Sequence, residues 1–147
     1  MSSKKSRKTL KGKSVANLGL TQKSINEEAI ERYNRKFAFS FEFLDRNQGQ
    51  NFEDWEKDGL LVEMLNTLRD YCGKTMQENF SDKFKIYGEF PKTSKFKKPL
   101  HVPEDAQWAS LHIMGKPCLA GHVDGNIFYV VFLDKNHEFY PSKKKHT

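Results

Sequence analysis

Between Gln107 and Tyr140 the polar and apolar positions read as a three-stranded antiparallel meander, QWASLHIM, PCLAGHV and NIFYVVFLD, with breaks at Gly115-Lys116 and Asp124-Gly125. Asp-Gly is the dipeptide of a two-residue type I′ turn, whose two central residues both need positive φ. The last strand, Ile127 to Leu133, is apolar at every position, so it is predicted to lie inside a sheet with both faces covered. With two-residue loops the register follows, and side chains sort onto two faces by their period of two. One face carries Leu111, Ile113, Cys118, Ala120, His122, Ile127, Tyr129, Val131 and Leu133, and is the more apolar, where a helix is expected to dock. The other carries Trp108, Ser110, His112, Met114, Leu119, Val123, Phe128, Val130, Phe132 and Asp134.

Upstream, Ser24-Ile25-Asn26-Glu27 is a capping box that predicts a helix to about Arg35. Phe37, Phe39, Phe41 and Phe43 alternate with Lys36, Ala38, Ser40 and Glu42, the pattern of a strand with one aromatic face. Asn51 is placed to cap a helix that runs from Glu53 to Cys72, with Trp55, Leu60, Leu61, Met64, Leu65 and Leu68 on its apolar side and Gly73 as a left-handed cap. Thr75-Met76-Gln77-Glu78 is a further capping box, and Phe84 to Phe90 alternates as another strand. Residues Pro91 to Pro103 read as a basic loop. The expected fold is α+β: a mostly antiparallel sheet of about five strands with helices on one face. It spans residues 21–142, between a disordered basic arm, Met1 to Leu20, and a basic tail, 143–147.

Composition narrows the picture. A chain of 147 residues supports one domain, and twelve Phe make its core aromatic. A net charge of +6 and a pI of about 9.2 favour an anionic partner. Cys72 and Cys118 form no CxxC or Cys/His spacing and read as small buried hydrophobes in a reducing cytoplasm. The basic N-terminus is not followed by an apolar stretch, and no run reaches transmembrane length, so a soluble cytoplasmic protein without a membrane partner is expected.

The order of strand, helix pair and closing antiparallel strands, over Lys36 to Tyr140, resembles the RelE/ParE superfamily of small bacterial toxins, many of which cut mRNA. The ending GKPCLAGHVDGNIFYVVFLDKNHEFYP is similar to that of small prophage and toxin-like bacterial proteins. The resemblance implies an RNA-directed endoribonuclease acting on free or ribosome-bound RNA, with an antitoxin protein as partner. Where that superfamily carries an arginine before the last hairpin, this chain has His112 and Lys116.

A metal-independent ribonuclease needs a base for the 2′-hydroxyl, an acid for the leaving oxygen, and cations for the transition-state charge. His112 and His137 are the candidate acid and base, with Lys116, Asp134 and Tyr87 as candidate helpers. Asp134 reads in two ways: as the carboxylate that orients His137, or as the acceptor of backbone amides in a strand-exit turn. Lys83, Lys85, Lys92, Lys95, Lys97 and Lys98, interleaved with aromatics such as Phe96, combine phosphate neutralisation with base stacking; a solvated charged edge strand is the other reading. No spacing demands a metal or other cofactor. The alternative function is a non-catalytic module that binds nucleic acid or protein.

Overall fold

Strand β5 (Ile127–Asp134) holds the sheet together. It lies between β1 (Ala38–Ser40), to which it is parallel, and β4 (Cys118–Asp124), and beyond β4 follow β3 (Gln107–His112) and the edge strand β2 (Phe84–Gly88). All pairings except β1 with β5 are antiparallel, so the five-stranded sheet is mixed. The computed structural model describes residues 22–141. The arm and the tail expected at the two ends lie outside the described residues. Among the described residues three α-helices complete the α+β architecture: α1 (Gln22–Tyr33), α2 (Phe52–Lys57) and α3 (Leu61–Tyr71).

Two expected caps are present. The Asn51 side chain accepts the Asp54 amide at 2.8 Å while Asp54 accepts the Asn51 amide at 3.1 Å. Thr75 and Glu78 make the same reciprocal pair around the 3-10 turn Gln77–Asn79. The long helix, however, is two helices. Asp58-Gly59 interrupts it, with Gly59 at φ +72, a conformation that costs a side-chain-bearing residue free energy and stops the α-helical run. Helix α1 opens at Gln22 and so runs through Ser24 instead of being capped by it. Gly73 is not left-handed; α3 ends in 3-10-type bonds, Gly73 N–H to the Asp70 carbonyl and Lys74 N–H to the Tyr71 carbonyl, both at 3.1 Å.

The helices dock on a face drawn from both expected ones, with Leu111 and Leu133 from the face expected to carry them and Leu119, Phe128 and Val130 from the other. Trp55, Leu60, Met64 and Leu68 pack with Phe37, Phe84, Ala109, Leu111, Leu119, Phe128, Val130 and Leu133. A one-residue slip between β3 and β4 and a bulge in β5 explain it, while the turn between β4 and β5 moves by a shift of two that leaves the faces unchanged. Between β3 and β4 the register pairs His112 with Cys118 and Leu111 with Leu119, so the loop is one residue longer than Gly115-Lys116, and every β3 side chain changes face relative to β4. Between β4 and β5, Asp124 pairs with Ile127 as a strand residue, and Gly125-Asn126 is the turn. Gly125 is at φ +61 and Asn126 is not at positive φ, which is the requirement of a type II′ turn and not of type I′. Further along, Ala120 pairs with Phe132 but Gly121 with Val130, so Val131 is an extra residue. A Cβ on Gly121 would meet the Tyr129 carbonyl oxygen, which leaves only glycine at the bulge.

A second apolar cluster, Phe96, Val102, Trp108, Ala120, Val131, Phe132 and Phe139, covers the other face. Over the strand residues it is closed by the loop 91–103 and the segment after β5, and no helix contributes to it. Leu68 is fully buried and Leu65 is 48% exposed. Leu68→Ala is therefore expected to cost roughly 2–5 kcal/mol and Leu65→Ala less than about 1 kcal/mol, read from urea unfolding. Equal losses at the two positions would contradict this packing.

Candidate active site

The bulge at Val131 decides which side of the sheet the end of β5 serves. Phe128 and Val130 face the helices; past the extra residue, Phe132 joins the opposite cluster and Asp134 pairs with Cys118, itself paired with His112. Alternation then sets His112, Cys118 and Asp134 in one row across three strands. Asp134 is fully buried. One of its carboxyl oxygens accepts the Glu138 amide and the other the Phe139 amide, each at 2.8 Å, and Cys118 donates its thiol hydrogen at 3.5 Å. Burial pushes the Cys118 thiol far up, and the charge of Asp134 and their hydrogen bond push it further, so this sulfur stays protonated. Asp134 is thus the acceptor of an exit turn. Its oxygens are taken by two backbone amides and the Cys118 thiol, and no hydrogen bond joins it to His137 Nδ1, which removes it from the expected role of orienting the His137 ring.

The hook that Asp134 closes carries His137 at φ +59, the one non-glycine residue at positive φ among those described. Its ring comes to 5.0 Å from that of His112, centroid to centroid. His112 Nδ1 lies 2.7 Å from the Gly115 carbonyl oxygen. A carbonyl can only accept, so Nδ1 carries the proton and Nε2 of the neutral ring keeps its lone pair. Nδ1 of His137 is buried without a hydrogen-bond partner.

Two adjoining clefts meet at this pair. One, of about 590 Å³, is lined by Asp82, Lys83, Lys85, Tyr87, Ser110, Tyr140 and both histidines. The other, of about 630 Å³, is lined by Lys95, Lys116, Asn136, Glu138 and both histidines. His112, Lys116 and His137 therefore do converge on one concave surface, with Lys83, Lys85 and Lys95 around it. Lys95 lies 4.0 Å from Glu138, and its amide bonds the Glu138 carbonyl at 2.9 Å, which ties the basic loop to the hook. An exposed pair of that length adds little stability.

Tyr87 also belongs here. Its hydroxyl is 3.0 Å from Ser110 Oγ, and burial raises its pKa, partly offset by that hydrogen bond, so it holds its proton at neutral pH. Sequence reasoning did not nominate Tyr140, whose ring stacks on Tyr87 at 4.4 Å and 11°. Its signal was faint: one more aromatic at the end of a basic, aromatic-rich chain.

The remaining predicted residues lie apart. Lys92 and Lys98 line a cleft of about 860 Å³ that also carries Glu89, Glu104 and Asp105, so its charge is mixed. Lys97 is exposed, and its backbone bonds the Gln48 side chain. Phe96 is 9% exposed and stacks on Phe132 at 4.4 Å, so its ring is core packing that leaves little surface for a base. Among the described residues no group of three His, Cys, Asp or Glu is arranged to hold a metal ion, and no helix is long and apolar enough to cross a membrane.

Compared with protein-family models, curated proteins and solved structures, the chain finds no match in any of the three.

His122, on the same side of the sheet, is 4% exposed, stacked on Tyr129 at 4.9 Å, with Nε2 unpartnered. Burial lowers its pKa, against the opposing charges of Asp124 and Asp105. The unfolded chain then takes up the proton near pH 6.5 and the folded chain only below that, so stability is complete above about pH 6.5 and falls as pH drops through it. Between about pH 7.5 and pH 5 the melting temperature of the wild type is expected to fall more than that of His122→Phe. Equal falls would show that this imidazole does not resist protonation.

Proposed function

We propose that this protein is an RNA-binding endoribonuclease in which His112 and His137 move the two protons of a transesterification. The observation that carries the proposal is the pair of imidazoles 5.0 Å apart where two lysine-lined clefts meet. His112 Nε2, its lone pair exposed by the Nδ1–H bond to Gly115, takes the proton of the 2′-hydroxyl as that oxygen attacks phosphorus. The bond to O5′ breaks, and protonated His137 supplies the proton that this oxygen needs to leave. A 2′,3′-cyclic phosphate and a 5′-hydroxyl result. Lys83, Lys85, Lys95 and Lys116 offset the charge on the phosphorane-like transition state. Both proton transfers have a side chain, so the step requires no metal-bound water.

Element order over Lys36 to Tyr140 supports the finer reading of a RelE/ParE-like toxin that works in the cytoplasm on free or ribosome-bound mRNA and is held in check by an antitoxin protein. In that reading a histidine and a lysine stand where the superfamily uses an arginine.

His112→Ala and His137→Ala are each expected to slow cleavage of single-stranded RNA about a hundredfold or more in excess chelator. Lys116→Ala is expected to slow it less and to leave the pH profile in place. Unchanged rates in both histidine variants would remove these roles. No cleavage by the wild type of free or ribosome-bound RNA would leave a non-catalytic nucleic-acid- or protein-binding module.

A further inference from the structure

Tyr140 is 44% exposed, although it directly follows the fully buried Phe139. Large aromatic side chains at the end of an ordered segment ordinarily bury what they can, because the apolar area is worth covering. This ring covers only one face. It lies parallel to Tyr87 at 4.4 Å and 11°, and among the described residues it makes no other ring contact. Tyr87 is held in turn by its hydroxyl on Ser110 Oγ, in the body of β3, so the lower ring of the stack is fixed to the sheet. Both rings line the same cleft as the two histidines, beside Lys83 and Lys85. A flat, anchored π-surface with one side open among the described residues, next to cations and to the proton-transfer pair, has the form of a stacking shelf.

We propose that Tyr140 is a nucleobase shelf: an unpaired base of the RNA stacks on its free face while the adjoining phosphate lies at His112 and His137. This rests on the ribonuclease reading above and narrows its substrate class. A base can lie on the shelf only if it is splayed out of a helix, so the cleft takes single-stranded RNA and excludes duplex. Stacking needs a π-face and no particular edge, so the shelf selects for unpaired nucleotides without fixing their identity. The phenol is not part of the contact. Phenylalanine should serve as well as tyrosine.

The full chain would be titrated with a single-stranded 2′-O-methyl oligoribonucleotide, which has no free 2′-hydroxyl and cannot be cut. Tyr140→Ala is expected to weaken binding about tenfold to a hundredfold, Tyr140→Phe to bind like the wild type, and a duplex of the same sequence to bind far more weakly. Scanning one abasic nucleotide along the oligonucleotide should reveal one position whose loss costs the wild type about as much as Tyr140→Ala and costs Tyr140→Ala nothing further. That scan, made on wild-type protein, also decides the matter if the alanine variant folds poorly. Equal binding by Tyr140→Ala and wild type, an abasic scan without such a position, or a Tyr140→Phe as weak as the alanine variant would overturn the shelf. The two proposals separate cleanly: Tyr140-dependent binding with no cleavage of RNA by the wild type keeps the shelf and removes the ribonuclease. Cleavage that is indifferent to Tyr140 does the reverse.

Discussion

The candidate site depends on the two amide hydrogen bonds accepted by Asp134. A carboxyl group with no exposure, placed at the end of the interior strand β5, needs partners of its own, and it finds them in the amides of Glu138 and Phe139 and the thiol of Cys118. Satisfying it turns the chain back over the sheet within five residues. That turn brings His137 beside His112, seats Phe139 in the second apolar cluster and delivers Tyr140 to Tyr87. Asp134 therefore acts on any chemistry here through position alone.

Asp134 reaches that side of the sheet because of an irregularity. A regular β5 would keep the faces of Phe128 and Val130 in phase with Asp134 and bury its carboxyl beneath α2 and α3. The extra residue at Val131 reverses the phase, and Gly121 lets the partner strand approach closely enough to accommodate it. Both clusters then have what they need: helices over one face, and over the other the loop 91–103, joined to the hook by the Lys95 to Glu138 backbone bond. The lysines of the clefts come from the sheet edge and from loops: Lys85 from β2 with Lys83 just before it, and Lys95 and Lys116 from loops.

The interior position of β5, the meander, the Asn51 and Thr75 caps and the α+β class were legible in the pattern, since alternation and cap chemistry act locally. Register was not. Gly115-Lys116 is compatible with two loop lengths, and a strand that is apolar at every position hides a bulge, because period two leaves no trace in it. Both ambiguities reverse faces, which is why the face under the helices draws its residues from both of those expected. The helix break has its signal in Asp58-Gly59, but the apolar periodicity on either side of it is the stronger pattern. The histidines and Lys116 could be nominated by residue type, but their convergence could not, since it comes from the hook and the hook from a buried carboxyl. Phe96 shows the opposite limit: an aromatic among lysines looks like a stacking residue until the apolar cluster beneath it is known.

That Asp134 sets the distance between the two imidazoles can be measured directly. In the wild type, ring-proton nuclear Overhauser effects between His112 and His137 are expected, as a centroid separation of 5.0 Å requires. Asp134→Asn keeps the size of the side chain but turns an amide NH₂ toward one of the two backbone N–H groups, so one of the two bonds is lost. The His112–His137 effects should then vanish while the cross-strand effects between β4 and β5 persist. Undiminished contact between the two rings in Asp134→Asn, or its absence from the wild type, would contradict the account.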